Sequence, residues 1–534
     1  MKNVVLMLAL LTILGSASAQ SSSASYASLQ GMNDETLFRT ITRELSDDSF
    51  GGRKPLTCYE APAIEYIANR FKEVGLHPAV GESYFQKVPL LGVTTHIKNN
   101  EVVVSGRKKS VRLRYWEDIV LWTHRAEQKL KVDKADFVFV GFGIRAPEYG
   151  WDDYAGIDVK GKVVVMLVND PGFYNDNLFR GKTMTYYGRW TYKFEEAGKQ
   201  GAAAALIIHD TAPASYGWSV VQNSRSSSSL SLYNEVENKM LIPFQGWITG
   251  ESAQKLFEAA EVSLEELVEA AKKKGFKSFP LKLKTTIESI NDIEMGESAN
   301  VAAILPGTSL KDECVIYSAH WDHLGIGQPV AGDSIYNGAL DNATGVAALV
   351  MLGRRFSTLP ERPKRSILFL AVTAEESGLL GSDFYTKNPL FPLEKTAICL
   401  NIDSYGDAKR TSDVVISAAG QSETDDYVRD AAAAQGRYVV TSHHDPAGGY
   451  YRSDHFPFAK AGIPVALAKG GSNYLDPQDY REHRTKYYSG PGTYHQPTDE
   501  YHSWWDISGS LEDIYLFFGI GYRLANDGYF PKWK

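Results

Sequence analysis

The sequence predicts an α/β protein: a mixed, largely parallel sheet flanked by helices, with a further, mainly-β block inserted into it. Three observations carry the prediction. From Val301 onward short apolar runs alternate with helical stretches, the pattern of parallel strands joined by crossover helices. A distinct block of strand and helix patterns, from Phe137 to about residue 290, stands ahead of that scheme. And 534 residues, 43% hydrophobic and 22% charged, hold enough apolar surface for more than one core.

In order, the chain opens on Met1-Lys2, an apolar run over 4–14 and the small residues Ser16-Ala17-Ser18-Ala19. A positive start, a short apolar stretch and small residues before a cut define a secretory signal peptide over 1–19, too short to span a bilayer. Secretion or a periplasmic location follows, with no membrane association. Residues 33–45 and 59–74 read as helices; in the second, Ile64, Ile67, Phe71 and Val74 share a face and Gly75 marks the stop. Alternation over 84–122 reads as strands. In the inserted block, 137–143 and 163–168 read as buried strands, and 190–198 as a helix leading into a strand at 203–209. Helices over 251–259 and 264–274 precede an alternating strand at 281–287. The charged stretch 291–298 reads as a boundary. Strands are then expected at 315–318, 366–373, 398–403, 414–417 and 465–467, with helices over 343–356 and 512–524.

Sixty-four acids against 56 bases leave a net charge of −8, so no basic field attracts nucleic acid. Three cysteines, Cys58, Cys314 and Cys399, allow one disulfide but no disulfide framework.

Five segments could carry chemistry. Ser318-Ala319-His320-Trp321-Asp322-His323, Thr373-Ala374-Glu375-Glu376-Ser377-Gly378 and Asn401-Ile402-Asp403-Ser404 each follow an expected strand. Asn337 to Gly345 precedes a helix, where Asp341 or Asn342 could simply be the N-cap. Tyr494-His495-Gln496-Pro497-Thr498-Asp499 lies in a late loop. In open α/β sheets the carboxyl ends of the strands face the ligand crevice. Imidazoles and carboxylates without thiolates suit zinc, cobalt or manganese. The surplus of carboxylates favours two ions sharing a bridging carboxylate, the arrangement that activates water against an amide or ester.

These segments, together with Arg452-Ser453-Asp454-His455 and the Glu376 to Ser382 run, closely resemble the exported co-catalytic dizinc aminopeptidases, relatives of glutamate carboxypeptidases, the transferrin receptor ectodomain and glutaminyl cyclases. The resemblance implies a zinc exopeptidase-like sheet, formed by residues 20–111 and 291–534 and interrupted by a protease-associated insert over 112–290. It also implies two divalent ions, most readily Zn²⁺, on His320, Asp341, Glu376, Asp403 and His495, with Asp341 as the bridge. Glu375 falls at the general base and Asp322 where an acid steadies the first imidazole, which needs an acceptor for its second N–H. His323, Asp454 and His455 fall outside the ligand set. Tyr450 or Tyr451 could donate to the oxyanion; Tyr451, nearer the Ser453-Asp454-His455 motif, is the choice.

The expected activity is removal of N-terminal residues from peptides. The rivals are carboxypeptidase or glutaminyl cyclase chemistry on the same fold, or a peptidase-like ectodomain that only binds. Arg452 is the one conspicuous cation near the motifs, expected to pair with a neighbouring carboxylate. The oligomeric state is not legible.

Overall fold

The computed structural model describes residues 28–417, 420–441, 444–479, 481–482 and 492–534. The expected signal peptide lies outside them. Among the described residues no helix is long and apolar enough to cross a membrane.

One large sheet organises the chain. Its order is Val465–Ala466, Thr396–Asn401, Leu310–His320, Arg365–Val372, Phe279–Leu305, Lys129–Phe139, Val163–Leu167, Ala204–His209, Phe244–Thr249 and Ile119–Trp122. The first four strands are mutually parallel, and so are the four from Lys129–Phe139 to Phe244–Thr249. Phe279–Leu305 joins these two parallel halves, antiparallel to both. Every residue of Arg365–Val372 and Ala204–His209 is buried, as parallel strands covered on both faces require. Alternate residues serve opposite cores: Val315 and Tyr317 pack with Leu37, Phe71 and Leu349, whereas Cys314 and Ile316 pack with Tyr385 and Phe458. Around the second half, Phe137 and Val163 pack with Leu256 and Phe257 of the helix Gly250–Ala259.

The terminal helices form for local reasons as well. Asp34–Leu45 begins at Asn33, whose side chain accepts the Thr36 amide at 2.8 Å. Helices Glu60–Glu73, Thr344–Ser357 and Ser508–Asp527 cover the same core.

Two expectations change. Residues 291–298 are not a break: Phe279–Leu305 is a single 27-residue strand, and its pairing with Phe85–Ile97 runs from Ser289 to Val301. The charges that suggested a boundary are the outward residues of a paired strand. The strand Asp413–Ile416 does not extend the large sheet either. It forms a separate three-stranded sheet with Tyr438–Thr441 and Ala468–Gly470. All three cysteines are free.

Candidate metal centre

His320 ends its strand level with Val372 of the parallel neighbour, and Ser318 lies level with Asn401 on the other side. Glu375, Glu376 and Asp403 therefore leave the sheet at the same edge as His320. Just past the strands Ala374 and Ser404 take φ of +52° and +62°, left-handed turns that L residues hold only where the surroundings enforce them. Asp341 arrives from a loop before Thr344–Ser357. Gly338 in that loop has φ +59°, and a Cβ there would stand 2.5 Å from the His323 ring. Asn342 holds the helix start through its side chain: its Oδ1 accepts the amides of Gly345 and Ser404, and its Nδ2 donates to Ile402 O. That leaves the Asp341 carboxylate free for other work.

Three groups of ligand atoms form, each within 4.8 Å: His320 with Asp341 and Asp403, His323 with Asp341 and Glu376, and His320 with Glu375 and Glu376. His320 Nε2 stands 3.2 Å from Asp341 Oδ1 and 3.7 Å from Asp403 Oδ1. His495 Nε2 stands 2.9 Å from Glu376 Oε2 and 3.9 Å from Asp341 Oδ2. Ligands about 2.1 Å from a tetrahedral ion stand about 3.4 Å apart. The Nε2 atoms of His320, His323 and His495 are all buried without an aligned hydrogen bond. The Nε2 atoms of His320 and His495, close to carboxylate oxygens without an aligned bond to them, fit donors arranged around cations. Asp341 belongs to two of the three groups.

Surrounding groups fix these donors. His320 Nδ1–H reaches the main-chain carbonyl of Asp322 at 3.1 Å, while the Asp322 carboxylate is 3.8 Å away. That carboxylate instead accepts the Glu375 amide at 3.0 Å and the Glu376 amide at 3.4 Å. Asp322 thus orients the acidic pair more directly than the imidazole. Asp499 accepts the amides of Leu340 and Asp341. Asp403 accepts Ser453 Oγ at 2.6 Å and Ser404 Oγ at 3.0 Å. His323 Nδ1 meets Glu376 Oε1 at 2.6 Å, so the second imidazole of His320-Trp321-Asp322-His323 sits within the centre, in contact with an expected ligand.

The residues that sequence reasoning missed come from far along the chain. Ser224 Oγ accepts His495 Nδ1–H at 2.8 Å, and Asn223 Nδ2 donates to the His495 carbonyl at 2.9 Å. Both lie within 112–290. Arg53, fully buried, donates to the carbonyls of Leu45, Trp321, Asn337 and Gly338, tying two site loops together. Nothing local in the sequence marks Arg53 or Ser224.

The two glutamates are driven apart. Burial, with Glu376, Asp454 and Asp403 adding to it against the pull of His320, raises Glu375 well above the ordinary carboxylate range. Glu376 is held well below it, because His495 and His323 outweigh burial. Burial is likewise overcome at Asp403, held near 2 by His320, Ser453 and Ser404. Burial pushes Asp322 and Asp454 up to about 7. An acidic pair whose affinities for protons diverge assigns one member to carry a proton and the other to stay ionised.

Asp454 accepts Ser382 Oγ at 2.6 Å, and the His455 ring lies 5.0 Å from that of Tyr450, both behind the centre. Tyr451 packs on Tyr186 and Phe456. The rings it packs on come from both parts of the chain, Tyr186 from 112–290 and Tyr450 and Phe456 from beyond it, and none of these contacts is with the carboxylates. A cavity of 1560 Å³ opens over the centre, lined by Asp341, Glu375, Glu376, Asp403 and His495 on one side and by residues of 112–290 on the other.

Residues 300–516 match the profile described as Peptidase family M28. Aminopeptidase YwaD of Bacillus subtilis (strain 168) is 25% identical over 361 residues, 64% of either chain. Aminopeptidase NAALADL1 of Rattus norvegicus is 34% identical over 131 residues, 24% of this chain and 16% of that one. These curated relatives are thus matched over less than two thirds of their own length. The solved aminopeptidase from Aneurinibacillus sp. strain AM-1 superposes with a TM-score of 0.53 at 20% identity, covering 92% of this chain and 94% of that one, and so shares the fold. Residues 300–516, the segment similar to peptidase family M28, carry all of the converging carboxylates and imidazoles.

Proposed function

We propose that the protein is an exported dizinc aminopeptidase that removes N-terminal residues from peptides. The observation carrying this reading is Asp341, shared between the His320–Asp403 group and the group of Glu376 with His323. His320, Asp341 and Asp403 would hold one ion; Asp341, Glu376 and His495 would hold the other, with His323 bound to the second oxygen of Glu376. Bound zinc polarises the scissile carbonyl and makes water nucleophilic at neutral pH. Glu375 takes the proton released by the attacking water and returns it to the leaving amine. Asp322 holds the main chain of both glutamates so that one faces the substrate and the other the ion. The free ammonium of the substrate is attracted by the ring of acids around Glu375 and Asp403. The two relatives described above carry the name aminopeptidase, in keeping with this reading.

The test uses one short peptide in three forms: free, N-acetylated and C-terminally amidated. The mature protein should cut the first and third and spare the second. Chelation should abolish turnover, and zinc, titrated back, should restore it in full at two equivalents. Cleavage of the acetylated form with rejection of the amide would replace the aminopeptidase reading with a carboxypeptidase one. Full activity at a single equivalent would overturn the two-ion centre.

A further inference from the structure

The cavity over the centre has a second chemical character. Its acidic floor faces a set of arginines, and those lack the partners that buried cations need. Arg189 is 8% exposed. Among the described residues its guanidinium makes no hydrogen bond or ion pair, and its Nε is buried without an acceptor. Arg452 gives one hydrogen bond, to Ala214 O at 3.1 Å, and leans on the Tyr216 ring at 5.4 Å; its Nε is likewise buried and unbonded. The carboxylate partner expected for Arg452 from the sequence is absent among the described residues. Both arginines line the same cavity as Glu375 and Asp403.

A buried guanidinium is costly unless an anion or several acceptors satisfy its five donors. Two guanidiniums, one buried and one half-buried, that line one cavity and keep unbonded N–H groups fit a bidentate anion. The volume of 1560 Å³ exceeds the roughly 300–1,000 Å³ typical of small-molecule pockets, leaving room for a peptide reaching from the acids to the arginines. We propose that Arg189 and Arg452 form a carboxylate-binding subsite, so that the favoured substrates are short peptides carrying an anionic group on the C-terminal side of the scissile bond. This rests on the N-terminal cleavage proposed above. The chemistry recognised is a carboxylate, supplied by the C-terminus of a short peptide or by an acidic side chain.

The experiment compares kcat/KM for Leu-Gly-Gly and its amide, and for the amides of Leu-Glu-Gly and Leu-Gln-Gly, in the native protein and in the R189Q, R452Q and R189K variants. Products are identified by mass. A preference of roughly ten- to hundredfold for the anionic member of at least one pair is expected. R189Q and R452Q should each collapse that ratio, while R189K keeps part of it. Because each ratio is taken within one protein preparation, a loss of folded enzyme cancels. Preference within the first pair identifies the C-terminal carboxylate as the ligand, and preference within the second an acidic side chain. Ratios near one in the native protein, or ratios unmoved by R189Q, would overturn the subsite and leave Arg189 as a counter-charge to the acids. Loss of the C-terminal rather than the N-terminal residue would instead sink the aminopeptidase reading. If no peptide is cut, calorimetric binding of the same pairs decides the subsite alone: tighter binding of the anion, lost in R189Q, supports it, and equal binding overturns it.

Discussion

At the scale of single residues, the centre depends on which groups carry protons and which hold ions. Glu375 and Glu376 are adjacent, both buried, and have opposite proton affinities because two imidazoles face only the second. Glu375→Gln keeps the shape but cannot accept a proton. Its kcat should fall by about 10² to 10⁴ while elemental analysis shows native metal content; loss of metal would make Glu375 a ligand. Ser224→Ala removes the acceptor for His495 Nδ1–H. Zinc affinity, read by competition with a chromogenic chelator, should drop by about 10- to 100-fold, the usual cost of losing such a partner. Unchanged affinity would mean that Ser224 merely sits beside the ring. The first of these residues was legible in the sequence because it follows an apolar strand inside a dense motif. The second was not: Ser224 belongs to a serine-rich run, and only tertiary packing brings it to a loop that starts 270 residues later.

Elements matter through the way they aim those residues. Strand order was legible where apolar runs were continuous, and the register of Leu310–His320 with its neighbours explains why segments scattered from His320 to Asp403 converge. The loops between strands were not legible, since they are held by carbonyl acceptors, which every residue has. Arg53 shows the cost of that blindness. Its guanidinium gathers carbonyls from the end of the first helix, from Trp321 beside His320 and from Asn337 and Gly338 ahead of Asp341. Arg53→Met would leave buried acceptors unpaired, and such losses put a substitution among the severe ones. We expect the urea midpoint to fall by the equivalent of at least about 3 kcal/mol with an unchanged slope, and the zinc affinity to weaken with it. A variant as stable as the native protein that still loses zinc would confine Arg53 to aiming the loops.

For the whole molecule, the issue is whether residues 112–290 are an appendage or part of the machine. The sequence pattern suggests an appendage, because the exposed charges Asp292, Glu294 and Glu297 resemble a linker when the pairing of the strand that carries them cannot be seen. In the structure Phe279–Leu305 pairs with Lys129–Phe139 on one side and Arg365–Val372 on the other, so a single strand belongs to both halves. Asn223 and Ser224 then reach back to His495. Excision of 112–290 would therefore strip the large sheet of a neighbour and His495 of its support, rather than only trimming the rim of the substrate cavity. Two halves that share a strand and the hydrogen bonds of His495 cannot open independently without breaking buried backbone pairs. Scanning calorimetry of the zinc-loaded mature protein should accordingly show one transition with matching calorimetric and van't Hoff enthalpies. Chelation should shift that transition down as a unit, since zinc stabilises only the folded state. Two separated transitions, with chelation moving just one of them, would show that the halves fold apart and that the shared strand transmits little between them.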